Sequence, residues 1–313
     1  MNLSLVIPCY NDEEVVPNTV AELRRLLDEC KAEGLVGDNN EIVLVDDGSG
    51  DRTWPRIVEA SEGDGLVRGI RLSRNRGHQN ALLAGLDEAV GDFVVTMDSD
   101  LQDDISCVKD MLREARNGVD IVFGVRRTRD VDTRFNRLTA NGFYKTMDVL
   151  GVEIVPYHAD FRGMSRQAVD ALLQFREVNL FLRGMVTQLG FKTAAVSYDR
   201  KPRLAGASSY SLGRRMALAW QGITSCSIIP LRIVTLLGIV FSCLSFMIGV
   251  WVLVVRFADL ARVPGWASTV LPLAFFSGLQ LLSLGVFGEY MGKIYLETKA
   301  RPRYFVSEKT NMN

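Results

Sequence analysis

The chain has 313 residues, with 36 Lys and Arg against 37 Asp and Glu, so its formal net charge is −1. This balance excludes the broad basic surface that marks many nucleic-acid-binding proteins. Hydrophobic residues make up 48% of the chain, an ordinary average, so any unusual feature must lie in how they are distributed. The 5 cysteines are scattered without CxxC spacing, which indicates neither a disulfide framework nor a zinc site.

Short apolar runs alternate with segments of helical spacing through the first two-thirds of the chain. The amino-terminal segment has no basic region and no long apolar run, so no cleaved signal is expected. Near-continuous Val, Ile and Leu are typical of parallel strands covered on both faces, and they predict an α/β domain over residues 1–210. The predicted strands are Leu3–Ile7, Ile42–Val45, Val67–Leu72, Phe93–Met97 and Ile121–Phe123. The predicted helices are Glu14–Lys31, Arg52–Ser61, His78–Ala89 and Ile105–Asn117.

Residues 211–231 have the pattern of an amphipathic helix. Apolar side chains recur every three or four positions from Leu212 to Ile223, whereas Arg214 and Arg215 fall on the other side of a helix with that period. This pattern predicts a helix that lies in a membrane interface. A plain surface helix of the α/β domain is the alternative.

Two long uncharged runs follow, from Ile233 to Val255 and from Val263 to Gly288. Each exceeds the roughly 20 residues that an α-helix needs to cross the hydrocarbon core of a bilayer. The segment Arg256–Arg262 between them is too short for a domain, so the runs predict a hairpin of two transmembrane helices over residues 232–291. Two buried helices of a large soluble core are the alternative. The aromatic side chains expected to face lipid or each other are Phe241, Phe246, Phe275 and Phe276.

Basic residues are more frequent outside the hairpin than in its connector. Because Lys and Arg are enriched in cytoplasmic segments, we expect both ends of the hairpin on the cytoplasmic side. Residues 292–313 are then a cytoplasmic carboxyl-terminal tail. The basic residues outside the connector are Arg214, Arg215, Arg232, Lys293, Lys299, Arg301, Arg303 and Lys309.

Acidic clusters follow two of the predicted strands. Asp46-Asp47-Gly48-Ser49 comes after one of them, and the segment from Asp98 to Asp103 comes after another. Ligands of open parallel sheets bind at the carboxyl ends of the strands, and carboxylates placed there can hold a hard divalent cation. A turn or a helix cap is the alternative for either cluster alone. Neither GxGxxG nor GxxxxGK[ST] occurs at the expected places, so dinucleotide and P-loop binding are not supported.

These motifs together resemble those of the GT-A family 2 glycosyltransferases, and further motifs resemble the polyprenyl-phosphate glycosyltransferases within that family. The latter include dolichol-phosphate mannose synthase and the bactoprenol glucosyltransferases of O-antigen modification. The resemblance implies a GT-A domain, Rossmann-like with a mostly parallel sheet, followed by an interfacial helix and two transmembrane helices. The motifs that carry it are Ile7-Pro8-Cys9-Tyr10-Asn11, Val45-Asp46-Asp47-Gly48-Ser49, the segment from Leu72 to Gln79, the segment from Met97 to Asp103, Asp160-Phe161-Arg162, Arg203 with Gly206-Ala207-Ser208-Ser209-Tyr210, and Gly288-Glu289-Tyr290.

The resemblance also implies roles for individual residues, which fall into four groups. The donor-nucleotide residues would be Pro8, Tyr10, Asn11, Asp46, Asp47, Asp98 and Ser99. The residues at a Mg²⁺ or Mn²⁺ site would be Asp98, Asp100 and Gln102. The catalytic residues would be Asp100 and Asp160. The residues at the acceptor phosphate would be Arg126, Arg137 and Arg203.

Some of these positions have equally ordinary interpretations. Arg137 could pair with an acidic neighbour in a structural salt bridge, whereas Arg126 is expected just beyond a strand end, near the crevice. Arg127 and Arg129 are expected on the solvated surface. His78, expected near a helix start, could be a neutral imidazole or a donor to phosphate.

The implied reaction is inverting transfer of a hexose from a nucleotide diphosphate sugar, with UDP-glucose as the first choice, to undecaprenyl or another polyprenyl phosphate. The implied location is the cytoplasmic face of a bacterial inner membrane, where the product would serve cell-surface glycan synthesis; homo-oligomers are open, and no nucleic-acid partner is expected. A phosphate acceptor is mostly dianionic at neutral pH, so Asp160 is expected to orient groups rather than to remove a proton. A processive polysaccharide synthase and a non-catalytic membrane scaffold are the alternatives.

Overall fold

The computed structural model describes residues 1–63, 65–126, 158–178, 182–199, 228–257 and 266–310. The chain divides into two compact units. The first, here called the sheet unit, comprises Met1–Asp148, Glu153–Ser211 and Ala300–Asn313. The second, here called the helical unit, comprises Val149–Val152 and Leu212–Lys299.

The sheet unit is built on one 8-stranded sheet with the order β7-β5-β6-β4-β1-β2-β3-β8. Among these described strands, β6 and β8 run antiparallel to their neighbours, and the others run in one direction. The sheet is therefore mostly parallel, as predicted. The strands are β1 Leu3–Cys9, β2 Glu41–Asp46, β3 Val67–Leu72, β4 Phe93–Thr96, β5 Ile121–Arg126, β6 His158–Ser165, β7 Thr193–Tyr198 and β8 Val306–Lys309.

Helices cover both faces of this sheet, which explains why its central strands are apolar on both sides. Every residue of β1, β2 and β4 is buried. α1, α2 and α4 contribute to the core on one face, and α3, α5 and α6 contribute to the core on the other. The helices of the sheet unit are α1 Val16–Ala32, α2 Thr53–Ser61, α3 His78–Glu88, α4 Cys107–Arg116, α5 Arg166–Leu173 and α6 Leu182–Gln188.

All five predicted strands and all four predicted helices of this unit are present; β3 has the predicted bounds, and no other end differs by more than three residues. One shift corrects a prediction: β5 continues to Arg126, so this residue ends the strand instead of lying beyond it. The pattern did not predict β6, β7, β8, α5 or α6. β6 was missed because Asp160 and Arg162 interrupt its apolar character, although both side chains turn out to be buried.

The carboxyl-terminal residues, expected as a tail, include a strand of the sheet. β8 pairs antiparallel with β3, with Arg71 opposite Glu308 and Ile70 opposite Lys309. Only four residues long and exposed at three of them, β8 carries too little apolar periodicity to be read as a strand.

The helical unit contains two long helices, α7 Ile229–Phe257 and α8 Trp266–Thr298. Within the described residues, one stretch, Ile229–Ile248 in α7, has the length and composition for crossing a membrane. The described parts of both predicted spans are thus helical, and the crossing of a membrane by either helix stays a prediction. Phe241 contacts Phe275 and Phe276, with ring centroids 5.9 and 5.7 Å away, as expected for aromatic residues of a hairpin.

Several predictions fall outside the described residues. These are the acceptor-phosphate residues Arg137 and Arg203, the surface positions Arg127 and Arg129, and most of the predicted interfacial helix over residues 211–231.

Candidate active site

The candidate site lies at the carboxyl edge of the sheet, where β1, β2 and β4 end. The acidic segments that begin at Asp46 and Asp98 both start there because their strands are parallel. β6 runs antiparallel to β4, with Thr96 opposite Arg162, so its amino-terminal end reaches the same edge. The antiparallel pairing places Asp160 beside the end of β4, which is far from it in sequence. The Thr96 hydroxyl donates to the Asp160 carbonyl oxygen at 2.5 Å.

A cluster of charged side chains surrounds Asp160. Nη2 of the buried Arg162 donates to Oδ1 of Asp160 at 2.8 Å, and Nη2 of Arg183 lies 3.3 Å from Oδ2. Nε2 of His78 lies 3.4 Å from the same Oδ2 and 3.5 Å from Oδ1 of Asp98. The imidazole therefore bridges Asp160, predicted as a catalytic residue, and Asp98, predicted at the donor nucleotide and the metal.

The surroundings of Asp160 favour its ionised form. Burial alone would raise its pKa, but the hydrogen bond with His78 and the charges of Arg162 and Arg183 outweigh burial and hold the pKa well below its usual range. A carboxylate of this kind is a weak proton acceptor. Its geometry suits holding cations and hydroxyl groups in place.

The pKa values of His78 and Asp98 are both raised, but for different reasons. Burial lowers the pKa of His78, but the hydrogen bond with Asp160 and the charges of Asp98 and Asp160 raise it more, so the net shift is upward. The pKa of Asp98 is raised by burial and by the charges of Asp160, Asp103 and Asp100, although His78 opposes the shift. Negative charge is thus concentrated around Asp98.

The side chains at Asp98 and Asp100 fit a divalent cation. Among the described parts of the chain, no group of three or more His, Cys, Asp or Glu side chains is arranged to hold a metal. Mg²⁺, however, is commonly held by one or two carboxylates together with the phosphates of a substrate. Asp98 and the exposed Asp100 supply hard oxygen atoms. Burial and the neighbouring carboxylates raise the pKa of Asp98, and a cation there would relieve the repulsion among the carboxylates.

The loop after β2 is held by contacts to the loop after β1. Asn11 adopts a left-handed backbone conformation with φ 54°, which Asn tolerates better than most residues. Its N–H donates to Ser49 Oγ, and its Oδ1 accepts from the Gly50 N–H, each at 3.0 Å. Ser49 N–H in turn donates to Oδ1 of the fully buried Asp46 at 3.0 Å. Asn11 and Asp46 therefore shape this loop.

Asp47 contacts the backbone of a third loop. Its two carboxylate oxygens accept hydrogen bonds from the N–H groups of Arg76 and Gly77, at 2.7 and 2.9 Å. Burial raises the pKa of Asp47, and these two hydrogen bonds partly oppose the rise. Its carboxylate thus ties the β2 loop to the start of α3. The exposed ring of Tyr10 lies at the end of β1, where it is open to a planar ligand, whereas Pro8 is buried within that strand.

The remaining donor and metal residues are held by a smaller network. Ser99 Oγ donates to Oδ2 of Asp12 at 2.8 Å, and the Ser99 carbonyl accepts from Thr19 Oγ1 at 2.7 Å. The Gln102 N–H donates to Asp100 Oδ1 at 3.2 Å, and Gln102 is buried. These contacts give the segment from Asp98 to Gln102 a defined shape.

Arg126, predicted at the acceptor phosphate, already has a carboxylate partner. Its Nη2 lies 3.2 Å from Oδ1 of the buried Asp103, and its Nε donates to the Tyr198 hydroxyl at 3.1 Å. Burial lowers the pKa of Arg126, but Asp103 and Tyr198 outweigh that effect and raise it. Any phosphate at this residue would share the guanidinium with Asp103.

Among the residues of the site that had no role in the sequence analysis are Asp12, Arg162 and Arg183. Arg71 is another, because its Nε lies 3.4 Å from Oδ2 of Asp46. A signal existed for Arg162, because side chains two apart in a strand share a face, and Asp160 and Arg162 have that spacing. No comparable signal marks Arg183, which lies in a different element, α6.

The fold and this edge of the sheet define a class of protein. Residues 4–173 match the family described as glycosyl transferase family 2, and the chain belongs to that family. The mostly parallel α/β sheet is the GT-A fold that the resemblance implied.

Particular relatives extend the similarity over nearly the whole chain. The chain is 44% identical over 306 residues to the uncharacterized glycosyltransferase YkoT of Bacillus subtilis (strain 168), covering 97% of this chain and 90% of that protein. It is 37% identical over 310 residues to the bactoprenol glucosyl transferase of Shigella phage SfX, covering 99% of this chain and 100% of that protein. Among solved structures, it is 20% identical to glucosyl-3-phosphoglycerate synthase from Mycobacterium tuberculosis, with a TM-score of 0.47, covering 72% of this chain and 78% of that one.

Proposed function

We propose that this glycosyltransferase transfers a hexose from a nucleotide diphosphate sugar to a polyprenyl phosphate, with inversion at the anomeric carbon. The observation that carries the proposal is the pair of carboxylates, Asp98 and Asp160, bridged by His78 at the carboxyl edge of the sheet. The name of the relative from Shigella phage SfX, a bactoprenol glucosyl transferase, supports a polyprenyl phosphate as acceptor and glucose as the sugar. UDP-glucose is therefore the first donor to test.

The donor would lie across the loops that follow β1, β2 and β4. Pro8, Tyr10, Asn11, Asp46 and Asp47 would form the base and ribose side, with Asp98 and Ser99 toward the diphosphate. The backbone contacts of Asn11 and Asp47 support this assignment, because they shape the two loops before any nucleotide binds.

Asp98, Asp100 and Gln102 would hold Mg²⁺ or Mn²⁺ beside the donor. When bound, such a cation supplies positive charge opposite the leaving nucleotide diphosphate. Asp100 would take part in the reaction through this contact. The charge concentrated around Asp98 supports the assignment, because a carboxylate with a raised pKa gains most from a neighbouring cation.

Asp160 would orient the reacting groups without accepting a proton. The second pKa of a phosphate monoester is about 6, so the acceptor is already mostly dianionic at neutral pH and needs no strong general base. The lowered pKa of Asp160 and its pairing with Arg162 support this role. Asp160 would hold the sugar or an arginine in line with the attacking oxygen.

The acceptor would reach the site from the bilayer. Arg126, Arg137 and Arg203 are the proposed contacts of its phosphate, since guanidinium groups bind phosphate with several donors. The apolar stretch Ile229–Ile248 supports membrane attachment. We place the sheet unit and both chain ends on the cytoplasmic face of a bacterial inner membrane, with α7 and α8 as a two-helix hairpin, because basic residues flank the hairpin.

A direct test incubates the purified full-length protein with labelled UDP-glucose, other nucleotide sugars, undecaprenyl phosphate and Mg²⁺ or Mn²⁺. The expected product carries one hexose per lipid phosphate and appears only with the lipid and a divalent cation. Release of nucleotide without a glycolipid would contradict the acceptor, and a polymer would favour a processive synthase. A protein that binds no nucleotide sugar would favour the membrane scaffold.

A further inference from the structure

A row of three charged side chains crosses the sheet from the candidate donor site to the carboxyl-terminal strand. Asp46 of β2 lies opposite Arg71 of β3, and Arg71 lies opposite Glu308 of β8. Residues directly opposite one another in neighbouring strands project from the same face, and their side chains interact. The charges in the row alternate from negative to positive to negative.

Arg71 provides the opposite charge for a fully buried carboxylate. Asp46 is 0% exposed, and its Oδ1 accepts from the Ser49 N–H. Its Oδ2 accepts no hydrogen bond from the described residues but lies 3.4 Å from Nε of Arg71. A buried carboxylate is costly unless an opposite charge compensates it. The position of Arg71 therefore bears directly on the orientation of Asp46.

Glu308 and Trp54 hold the Arg71 guanidinium from the other side. Nη1 of Arg71 donates to Oε1 of Glu308 at 2.6 Å, and Nε1 of Trp54 donates to Oε2 at 3.1 Å. The guanidinium carbon also lies 5.8 Å from the centre of the Trp54 ring, within the range of a cation–π contact. Both carboxylate oxygens of Glu308 are thus engaged.

The strand that carries Glu308 is itself anchored on both sides of Arg71. The Thr310 N–H donates to the Gly69 carbonyl at 2.9 Å, and the Gly69 N–H donates to Thr310 Oγ1 at 2.7 Å. At the other end, the Ser73 N–H donates to the Phe305 carbonyl at 2.9 Å. Glu308 therefore has a defined place relative to Arg71.

We propose that Glu308 is a positioning residue for the donor site: through Arg71 it fixes the orientation of Asp46, and so makes the carboxyl-terminal strand part of the nucleotide-binding apparatus. This inference rests on the proposed function, because it takes the loop after β2, which the buried Asp46 holds through the Ser49 N–H, as part of the donor site. Glu308 acts through Arg71 and Asp46, and the Ser49 N–H extends its effect to the loop after β2.

The first experiment needs no nucleotide. Amide hydrogen exchange of residues 46–50 is compared in the full-length wild type, Glu308→Ala and Lys309→Gln. Lys309 is the matched control, because it lies next to Glu308 in β8 but its ammonium group forms an ion pair with Glu88 of α3, at 2.6 Å. Exchange in Glu308→Ala is expected to rise roughly 3- to 10-fold, the size of effect typical of residues in a coupled network, and the control is expected to match the wild type.

The second experiment measures nucleotide affinity with UDP, GDP, ADP, CDP and TDP in the presence of Mg²⁺. For the nucleotide that the wild type binds most tightly, Glu308→Ala is expected to raise Kd roughly 3- to 10-fold, with kcat and the KM for undecaprenyl phosphate unchanged. In a double-mutant cycle, Arg71→Met should remove most of the effect of Glu308→Ala, because both act on Asp46.

The outcomes separate this inference from the proposed function. If exchange or affinity in Glu308→Ala equals that of Lys309→Gln, the positioning role is wrong. If the wild type binds none of the five nucleotides, the proposed donor class is wrong, and the exchange of residues 46–50 alone then decides whether Glu308 fixes Asp46. Thermal unfolding of each variant shows whether loss of the whole strand, instead of one contact, accounts for any change.

Discussion

The two halves of the candidate site are built from different kinds of contact. Beside β4 and β6, charged side chains contact one another, with Asp160 held by Arg162, Arg183 and His78. Beside β1 and β2, Asp47 instead accepts hydrogen bonds from backbone N–H groups of a neighbouring loop. Backbone contacts fix the shape of a binding surface before a ligand arrives, whereas an ionic cluster leaves charges that a ligand can engage. We therefore expect the loops beside β1 and β2 to keep their shape when a ligand binds, and the charged side chains beside β4 and β6 to change partners.

The largest effect is expected from removing the central charge of the ionic half. Asp160→Asn leaves the buried Arg162 without its carboxylate, and breaking a buried pair in this way costs about 3–5 kcal/mol. The free energy of unfolding of the detergent-solubilised protein would measure the loss. Asp170→Asn is the control, because its pair with Arg166 is exposed and is worth about 0.5 kcal/mol or less. Equal losses in the two variants would show that the pair of Asp160 with Arg162 stabilises the fold no more than an exposed ion pair does.

The same variant gives a test by pH. The pKa of Asp160 is lowered in the folded protein, so its stabilising contribution is present above the unfolded pKa of about 3.9 and is lost as pH falls through the folded pKa. The stability of the wild type should therefore fall more steeply below about pH 4 than that of Asp160→Asn. Parallel curves would contradict the ion pairs. Rescue of Asp160→Asn turnover at high pH would instead point to a general base.

The next effect concerns the carboxylates assigned to the cation. Asp98→Asn and Asp100→Asn are each expected to lower turnover about 10²–10³-fold, the usual loss when one group that stabilises a transition state is removed. A chelator should cause a similar loss that Mg²⁺ or Mn²⁺ restores. Asp104→Asn is the control from the same acidic segment, because Asp104 accepts from the Ser106 N–H and Asn can replace it. Normal turnover in the first two variants would refute the assignment.

A smaller effect is expected in the backbone-contacting half. Asp47→Asn leaves one side-chain oxygen to accept from the N–H groups of Arg76 and Gly77, and places its NH₂ group against the second N–H. Loss of that hydrogen bond is expected to cost about 1–3 kcal/mol. The donor KM should therefore rise about 10-fold, with kcat less affected. Asp92→Asn, at the opposite edge of the sheet, removes a carboxylate contact with the Asn2 N–H and should leave the donor KM unchanged. A fall in kcat alone would mean that Asp47 belongs with the ionic half.

An effect of similar size separates the acceptor from both halves. Arg203→Ala should raise the KM for the lipid acceptor about 10-fold, since hydrogen bonds to a charged group are worth about 1.5–3 kcal/mol, and it should leave the donor KM unchanged. Lys201→Ala is a nearby control that removes one positive charge. Equal effects of the two variants would show a general attraction to an anionic surface.

Much of the sheet unit could be predicted from local pattern. β1, β2, β3, β4 and β5 were predictable because buried parallel strands are continuous apolar runs. β6 and β8 were not, because the first contains a buried ion pair and the second is short and exposed. Their partners are distant in sequence, so only the assembled sheet shows that they are strands.

Some residues of the candidate site could likewise be predicted from local pattern, and others could not. The acidic segments at Asp46 and Asp98 were visible because they follow apolar runs directly, and the same reasoning placed them at one edge. Arg71 and Arg183 were not visible, because each acquires its carboxylate partner through pairing or packing of separate elements.

The sequence by itself determined the class of fold, the two long apolar helices and the edge of the sheet where chemistry is expected, since these depend on residues close together in the chain. The tertiary structure decided which charges pair, that Asp103 already engages Arg126, and that the carboxyl-terminal strand reaches Arg71. The physical reason is that ion pairs depend on distances of a few ångströms between elements far apart in sequence. Local patterns of hydrophobicity carry no information about such distances.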